Sequence, residues 1–190
     1  GGSQDDALER LLREATLASA LNHPNIVTIH ETGMIDRDRY IAMELVEGQT
    51  LREIASGGLP LDRAIHIARQ IAEALAVAHG AQIVHRDIKP DNVMVRPDGY
   101  IKLLDFGLVS HVADESQRQL AQAGTLSGSP LYMAPEQGAA QMADARSDIY
   151  GLGATAYYLL TGKPPFDSRN VVTIMIAHAR DPVVPPSQVY

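Results

Sequence analysis

The stretch HRDIKPDNVMV, residues 85–95, decides the reading: two carboxylates, Asp87 and Asp91, a lysine, Lys89, and an amide, Asn92, lie within eight positions of His85 and run into a β-branched tail. Before it, Ile65, Ala68, Ile71, Ala72, Leu75 and Ala78 recur at helical spacing and predict a largely buried helix that ends at Gly80, a residue suited to a C-cap. After it, NVMVRPDGYIKLLD (92–105) reads as two short strands around the turn Pro97, Asp98, Gly99. The polar cluster therefore falls in a loop held between two rigid elements, a placement in which binding and catalytic side chains are common.

The residue types in that loop point to a chemistry. Asp87 is suited to act as a base, Lys89 to neutralise an anion, and Asn92 with a second carboxylate to hold a hard cation, which prefers oxygen ligands. Asp105 supplies the second carboxylate: it ends the same hairpin, in LLDFGL (103–108), where the returning strand brings it back towards Asn92. Two oxygen ligands on neighbouring strand ends, with a base and a lysine, suit metal-assisted phosphoryl transfer.

Further out, Ser3 and Asp6 resemble a capping box, and Leu8, Leu11, Leu12, Ala15 and Ala18 follow at helical spacing. NIVTIHETG (25–33) and RYIAMELVEG (39–48) read as an antiparallel hairpin across the polar turn MIDRD (34–38). Residues 108–130 have neither period and read as a long loop, of a length that is usually functional or disordered. Two more helices, over about 146–161 and 169–179, flank the turn TGKPPFD (161–167).

Composition narrows the classes. At 190 residues, 45% hydrophobic and 21% charged, the chain is long and apolar enough for a buried core. A net charge of -7 without any Lys/Arg block argues against a nucleic-acid partner, which requires a basic footprint. Cysteine is absent, so disulfides and thiolate metal sites are excluded. No apolar run approaches the roughly 18 residues of a membrane span, so no membrane contact is expected in this segment and the cytoplasm is the expected compartment. The chain opens GGSQ without a methionine and stops at PPSQVY, which reads as part of a longer protein, with GGS equally explicable as an added linker.

At this point the residues resemble the eukaryotic-type protein kinases. HRDIKPDN (85–92) is similar to the catalytic loop, DFG (105–107) to the metal-binding turn and APE (134–136) to the end of the activation segment. REATLASALNHPNIV (13–27) looks like the helix that carries the family's ion-pairing glutamate, AMELVEG (42–48) the hinge, and DARSDIYGLGATAYYLLTGKPPF (144–166) the central helix of the large lobe. The wording is most like bacterial Ser/Thr kinases.

The resemblance implies an α+β, two-lobed protein-kinase-like fold with an incomplete small lobe (1–46) and a mostly helical large lobe (47–190) lacking its C-terminal helices. It implies ATP and Mg2+ as cofactors and protein Ser/Thr hydroxyls as acceptors. Asp87 would orient and deprotonate the hydroxyl, Lys89 would neutralise the transferring phosphoryl, and Asn92 and Asp105 would hold magnesium. Glu14, Met43, Glu44, Val46 and Met94 would serve the nucleotide, with Met43 as gatekeeper and Met94 beneath adenine. Arg86 would bind a phosphate on Thr125, and Ser129 would contact Asp87 and Lys89. His85, Phe106, Ile29 and Ala18 would stack between the lobes, Asp148 would hydrogen-bond the catalytic loop, and Glu136 would pair with an arginine beyond this chain.

Several of these residues have simpler readings. Glu14 lies four residues after Arg10, as a surface ion pair would. Asp148 is also placed to favour a helix dipole, and Thr125 lies in a polar loop. GLGATA (151–156) mimics a dinucleotide fingerprint, but no strand precedes it, and its glycines are better read as letting helices approach closely. The chain also departs from the family pattern: no Gly-rich phosphate loop and no VAIK-type lysine precede Glu14. The expectation is a truncated Ser/Thr kinase domain, inactive by itself, from a protein that could carry a membrane anchor elsewhere. A non-catalytic kinase-like binding module and a metal phosphohydrolase are the alternatives.

Overall fold

The computed structural model describes residues 21–36, 38–105, 130–139 and 141–189. The helix expected over 3–18, with Glu14 and Ala18, lies outside them, as do Phe106, Thr125 and Ser129.

Two strands, β1 (Ile29–Ile35) and β2 (Asp38–Met43), pair antiparallel, with Ile29 opposite Met43 and Ile35 opposite Asp38. The strands run deeper into MIDRD than the polar composition implied, because Asp36 takes a left-handed backbone (φ 55°) that closes a tight turn. The chain before β1 joins this hairpin to the rest: Val27 N–H donates to Leu103 O at 3.0 Å and Leu103 N–H donates to Asn25 O at 2.8 Å.

The second sheet has the order β3 (Gln49–Thr50), β4 (Val93–Val95), β5 (Ile101–Leu103), all antiparallel. Thr50 then caps the one-turn helix α1 (Leu51–Ile54), and Glu53 returns the bond to the Thr50 N–H at 2.7 Å, a capping box. A long helix, α2 (Leu61–Gly80), packs against α4 (Ala145–Thr161) and β5. The short α3 (Pro135–Gly138) and α5 (Val171–Arg180) complete the helical part, and Asn170 caps α5 through the Val172 and Thr173 N–H groups. The core runs between α2, α4 and the three-stranded sheet: Leu51, Ile67, Ile71, Leu75, Val93, Ile101, Leu103 and Leu159 are all fully buried. Each such side chain contributes about 1.5–3 kcal/mol relative to an exposed position.

The inner face of α2 differs from the apolar stripe expected. Ile65 is 59% exposed, while Ala64, Ile67, Gln70, Ile71, Ala74, Leu75 and Ala78 are buried. An apolar count misses Gln70, whose side chain is inside because it completes backbone pairing there. Its Oε1 accepts from Asn25 Nδ2 (2.9 Å) and Ile101 N–H (3.0 Å), and its Nε2 donates to Gly99 O (3.2 Å). Gly80 is not the left-handed cap either. The helix continues through it, and Gln82 takes the positive φ (61°) while Ile83 N–H closes onto Ala78 O at 2.9 Å.

Helix α4 ends where Gly162 turns left-handed (φ 69°) and donates to Tyr158 O at 2.8 Å. A Cβ there would meet Ser56 O at 2.6 Å, so Gly162→Ala is expected to cost about 2–4 kcal/mol from backbone strain plus a backbone clash. Gly153 lies on the same helix with nothing within 4 Å of its added Cβ, so Gly153→Ala is expected to add about 0.5–1 kcal/mol. Urea unfolding of the two variants checks the pair, and equal effects at both positions would contradict the packing described.

Candidate active site

Residues 85–92 cross between α2 and β4 and close with a 3-10 turn, Pro90–Asn92. Their shape is held from below by one side chain. Asp148, fully buried in the first turn of α4, accepts the His85 N–H at 2.8 Å on Oδ2 and the Arg86 N–H at 2.7 Å on Oδ1. His79, in the last turn of α2, donates from Nε2 to the same carboxylate at 2.7 Å. Asp148 is therefore more than a dipole partner: it takes over backbone donors that the loop cannot pair within itself.

His85 is fixed on both ring atoms. Nε2 lies 2.7 Å from Leu104 O and must donate to it, which leaves Nδ1 to accept the Asp87 N–H at 3.3 Å. That is the neutral tautomer, and burial holds the ring's pKa below its ordinary value. Arg86 adopts a left-handed backbone (φ 69°), uncommon for a non-glycine residue. The conformation is held from both sides, by Asp148 at its N–H and by Gln137 Nε2, which donates to Arg86 O at 2.8 Å. Close packing does the rest: a Cβ on Gly151 of α4 would sit 3.0 Å from Ile88, so that glycine admits the loop rather than another helix.

At the outer surface of the loop, Lys89 Nζ and Asn92 Nδ2 both donate to Asp87 Oδ2, at 2.6 and 2.8 Å. Asn92 Nδ2 also reaches Asp87 O at 2.8 Å. The carboxylate is thus turned so that Oδ1 carries no hydrogen bond from the described residues, while Asn92 Oδ1 is the end of that amide left to accept. Across the hairpin, Leu104 N–H donates to Asn92 O at 2.8 Å, which places Asp105 next to Asn92 on the neighbouring strand end. Asp105 has φ 55°, a second left-handed non-glycine in the site. Strained backbone of this kind costs about 1–3 kcal/mol and clusters where side chains must be aimed.

Among the described residues no three His, Asp or Glu side chains come together as a metal cage. The donor set fits a hard cation all the same, since Mg2+ takes one or two protein oxygens and completes its shell with water and substrate phosphates. Asp105 and the side-chain Oδ1 of Asn92 would hold it.

On the hinge side, Glu44 N–H is committed to Thr28 O at 2.9 Å, so its carbonyl is the backbone group it can offer a ligand. Its side chain accepts Lys102 Nζ (2.5 Å) and Thr28 N–H (2.7 Å). Burial raises the Glu44 pKa, but these donors outweigh it and the net shift is downward. Met43 is exposed, and Val46 and Met94 are half-buried. Ile29 is buried. Within the described residues Glu136 accepts a hydrogen bond on Oε1 from Ser147 Oγ at 2.6 Å.

The sequence reading did not single out His79, Gln137 or Lys102. His79 had one signal: it is a polar residue four positions after Leu75 and seven after Ala72, on the side of the helix that carries both. The other two sit where only distant packing gives them partners.

Asp148→Asn keeps the side-chain shape but loses the charge and turns one acceptor into a donor facing donors. A cost of about 2–4 kcal/mol in urea unfolding is expected, as for a buried charged acceptor. A change below about 0.5 kcal/mol would mean that the loop holds its shape without this carboxylate.

With this geometry in place, the relatives can be compared. A family model described as "Protein kinase domain" matches residues 2–185. The "Serine/threonine-protein kinase PknB" of Mycobacterium leprae is 40% identical over 185 residues, covering 94% of this chain and 29% of its own length. The "Probable serine/threonine-protein kinase CPE1738" of Clostridium perfringens is 35% identical over 189 residues, 98% of this chain and 27% of its own. Among solved structures, the PknI kinase domain of Mycobacterium tuberculosis (C20A mutant) superposes with a TM-score of 0.69 at 34% identity, covering 86% of this chain and 60% of that one. The chain spans less than a third of the length of these curated relatives.

Proposed function

The chain belongs to the protein kinase domain family, and we propose that the protein transfers the γ-phosphate of ATP to Ser and Thr hydroxyls of protein substrates. The observation that carries this reading is the convergence of Lys89 Nζ and Asn92 Nδ2 on Asp87 Oδ2. It turns the other oxygen of the carboxylate outward beside a lysine and a pair of hard-cation ligands. The relatives named above are called serine/threonine-protein kinases, and nothing in them favours the non-catalytic reading.

In this mechanism Asp87 Oδ1 accepts the hydrogen bond of the acceptor hydroxyl and then its proton as the oxygen attacks the γ-phosphorus, whose bond to the β–γ bridging oxygen breaks to release ADP. Lys89 balances charge on the transferring phosphoryl. The Glu44 carbonyl and the Val46 N–H receive adenine, Met94 packs beneath it, and Met43 bounds the pocket. Asn92 and Asp105 would hold Mg2+, which would offset charge on the phosphates when bound. Glu14 serves the nucleotide on its phosphate side. We divide the domain near Val46 into a small-lobe part and a large-lobe part. We place Arg86 as the partner of a phosphate on Thr125, Ser129 at the Asp87–Lys89 pair, and Phe106 in the column with His85 and Ile29. Among the described residues no helix is long and apolar enough to cross a membrane.

In the full-length protein, Asp87→Asn is expected to lower kcat about 10²–10⁴-fold with ATP affinity nearly unchanged, as for loss of a general base. Asp105→Ala is expected to abolish Mg2+-dependent nucleotide binding. Phosphotransfer assays and calorimetric titration with MgATP read both, and wild-type rates in either variant would remove the assignment. Phosphate on Thr125 would add about -1.5 to -2 charge opposite Arg86. Thr125→Ala is therefore expected to lower activity, with mass spectrometry of the active protein finding that residue phosphorylated.

A further inference from the structure

Beside Asp87 lies a cleft lined by Arg86, Asp87, Tyr132, Met133 and Gln137. One wall is the catalytic loop and the other is the 3-10 turn Pro130–Tyr132 with the segment that follows it. The Gln137 bond to Arg86 O ties the walls at one place. A second tie comes from Arg52, on α1, a residue with no part in the chemistry just described.

The Arg52 guanidinium grips Asp91 with both arms, Nε to Oδ1 at 3.0 Å and Nη2 to Oδ2 at 2.7 Å. Its remaining arm, Nη1, reaches the Tyr132 hydroxyl at 3.1 Å. The same group lies over two rings, 5.4 Å from the Tyr132 centroid and 5.0 Å from that of Tyr158. Tyr158 Oη–H in turn donates to the Arg52 carbonyl at 3.1 Å, so α1 is itself anchored to α4. Tyr132 and Tyr158 are both buried and meet edge to face at 6.2 Å.

We propose that Arg52 is a positioning residue for the protein acceptor: by clamping Asp91 on one wall and Tyr132 on the other, it sets the distance between the catalytic loop and the segment opposite it. The proposal rests on the kinase reading for the word acceptor and on geometry alone for the clamp.

A lone exposed ion pair would carry little, since such pairs are worth about 0–1 kcal/mol. Here one planar cation joins a bidentate carboxylate, a phenol and two ring faces, an arrangement that holds geometry as well as charge. Asp91 immediately precedes Asn92, whose amide orients the Asp87 carboxylate, so a shift at Asp91 is felt at the reacting group. The adenine side, by contrast, is assigned to residues 43–46 and 94, and no hydrogen bond or ion pair joins Arg52 to any of them. Misplacement should therefore appear in acceptor binding before it appears in ATP binding.

The test uses the full-length protein with Arg52→Ala, Arg52→Lys and Asp91→Asn, assayed with a Ser/Thr peptide and by amide hydrogen exchange. Each variant is expected to raise KM for the peptide about tenfold and to leave KM for ATP within about twofold. Exchange should accelerate in residues 130–134 and not in α2. Arg52→Lys is expected to fail as a rescue, because an ammonium cannot grip a carboxylate with two arms and lie flat on rings. Full rescue by lysine, or equal rises in both KM values, overturns the proposal. If Arg52→Ala does not fold, Asp91→Asn, which keeps the side-chain shape, decides the matter. A wild-type protein that transfers no phosphate removes the kinase reading, and the exchange comparison then decides the clamp. Unchanged exchange with unchanged peptide KM in an active protein overturns the clamp while that reading stands.

Discussion

A buried carboxylate organises this molecule. Asp148 has no access to water, and its charge is tolerable only because three donors meet it: the backbone N–H groups of His85 and Arg86 and the ring of His79. The dependence runs both ways, since those two backbone groups belong to a loop too short and too twisted to satisfy them internally. Helix α4 thereby supplies the floor on which the loop 85–92 is laid, and α2 supplies a third contact through its last turn. Removing any one partner leaves a desolvated group in the interior, so the loop, both helices and the left-handed Arg86 form one cooperative unit.

Above that floor, the short hairpin β4–β5 carries the geometry outward. Its strands have three residues each, and such a pair is marginal by itself. It persists because β3 pairs on one side, residues 25–27 join β5 on the other, and Val93, Ile101 and Leu103 are fully buried. The result is that Asn92 and Asp105 emerge side by side at adjacent strand ends, with Leu104 pinned between His85 and Asn92. Two oxygen-bearing side chains are brought together by backbone pairing, and the Asp87 carboxylate is aimed by a lysine and an amide. The strained φ values of Arg86 and Asp105 fit this account: the surrounding bonds over-determine the backbone, and the strain is stored where side chains must point in one direction.

Electrostatics divides the loop into two sides. Lys89 and Asn92 gather on one oxygen of Asp87, while Asp91 faces away towards Arg52, whose guanidinium holds its carboxyl pKa below the ordinary value against the opposing effect of burial. Burial, partly offset by Arg52, pushes the neighbouring Tyr132 hydroxyl up to about 12, so it remains a neutral donor and acceptor at physiological pH. Two carboxylates four residues apart thus have different partners and different surroundings, the condition under which they can take different roles.

Much of this was legible in the order of residues. The elements themselves followed from local rules: a 3.6-residue period for α2 and α4, alternation and turn residues for both hairpins, and the cluster from His85 to Asn92 between a helix and a hairpin. The resemblance to protein kinases likewise rests on strings of adjacent residues, which a linear reading can see. What it could not see was which face of α2 turns inward, since Gln70 is buried for its hydrogen bonds and Ile65 is left outside. Nor could it find that Gln82 rather than Gly80 makes the left-handed turn, that Ser147 is the partner of Glu136, or that Arg52 reaches across 39 residues to Asp91. Local sequence determined the elements and the chemical identity of the site, because propensity and periodicity act over a few residues. Tertiary structure alone decided which polar groups are buried and with whom, because a buried donor or acceptor takes whatever partner the packing of distant elements brings within about 3 Å.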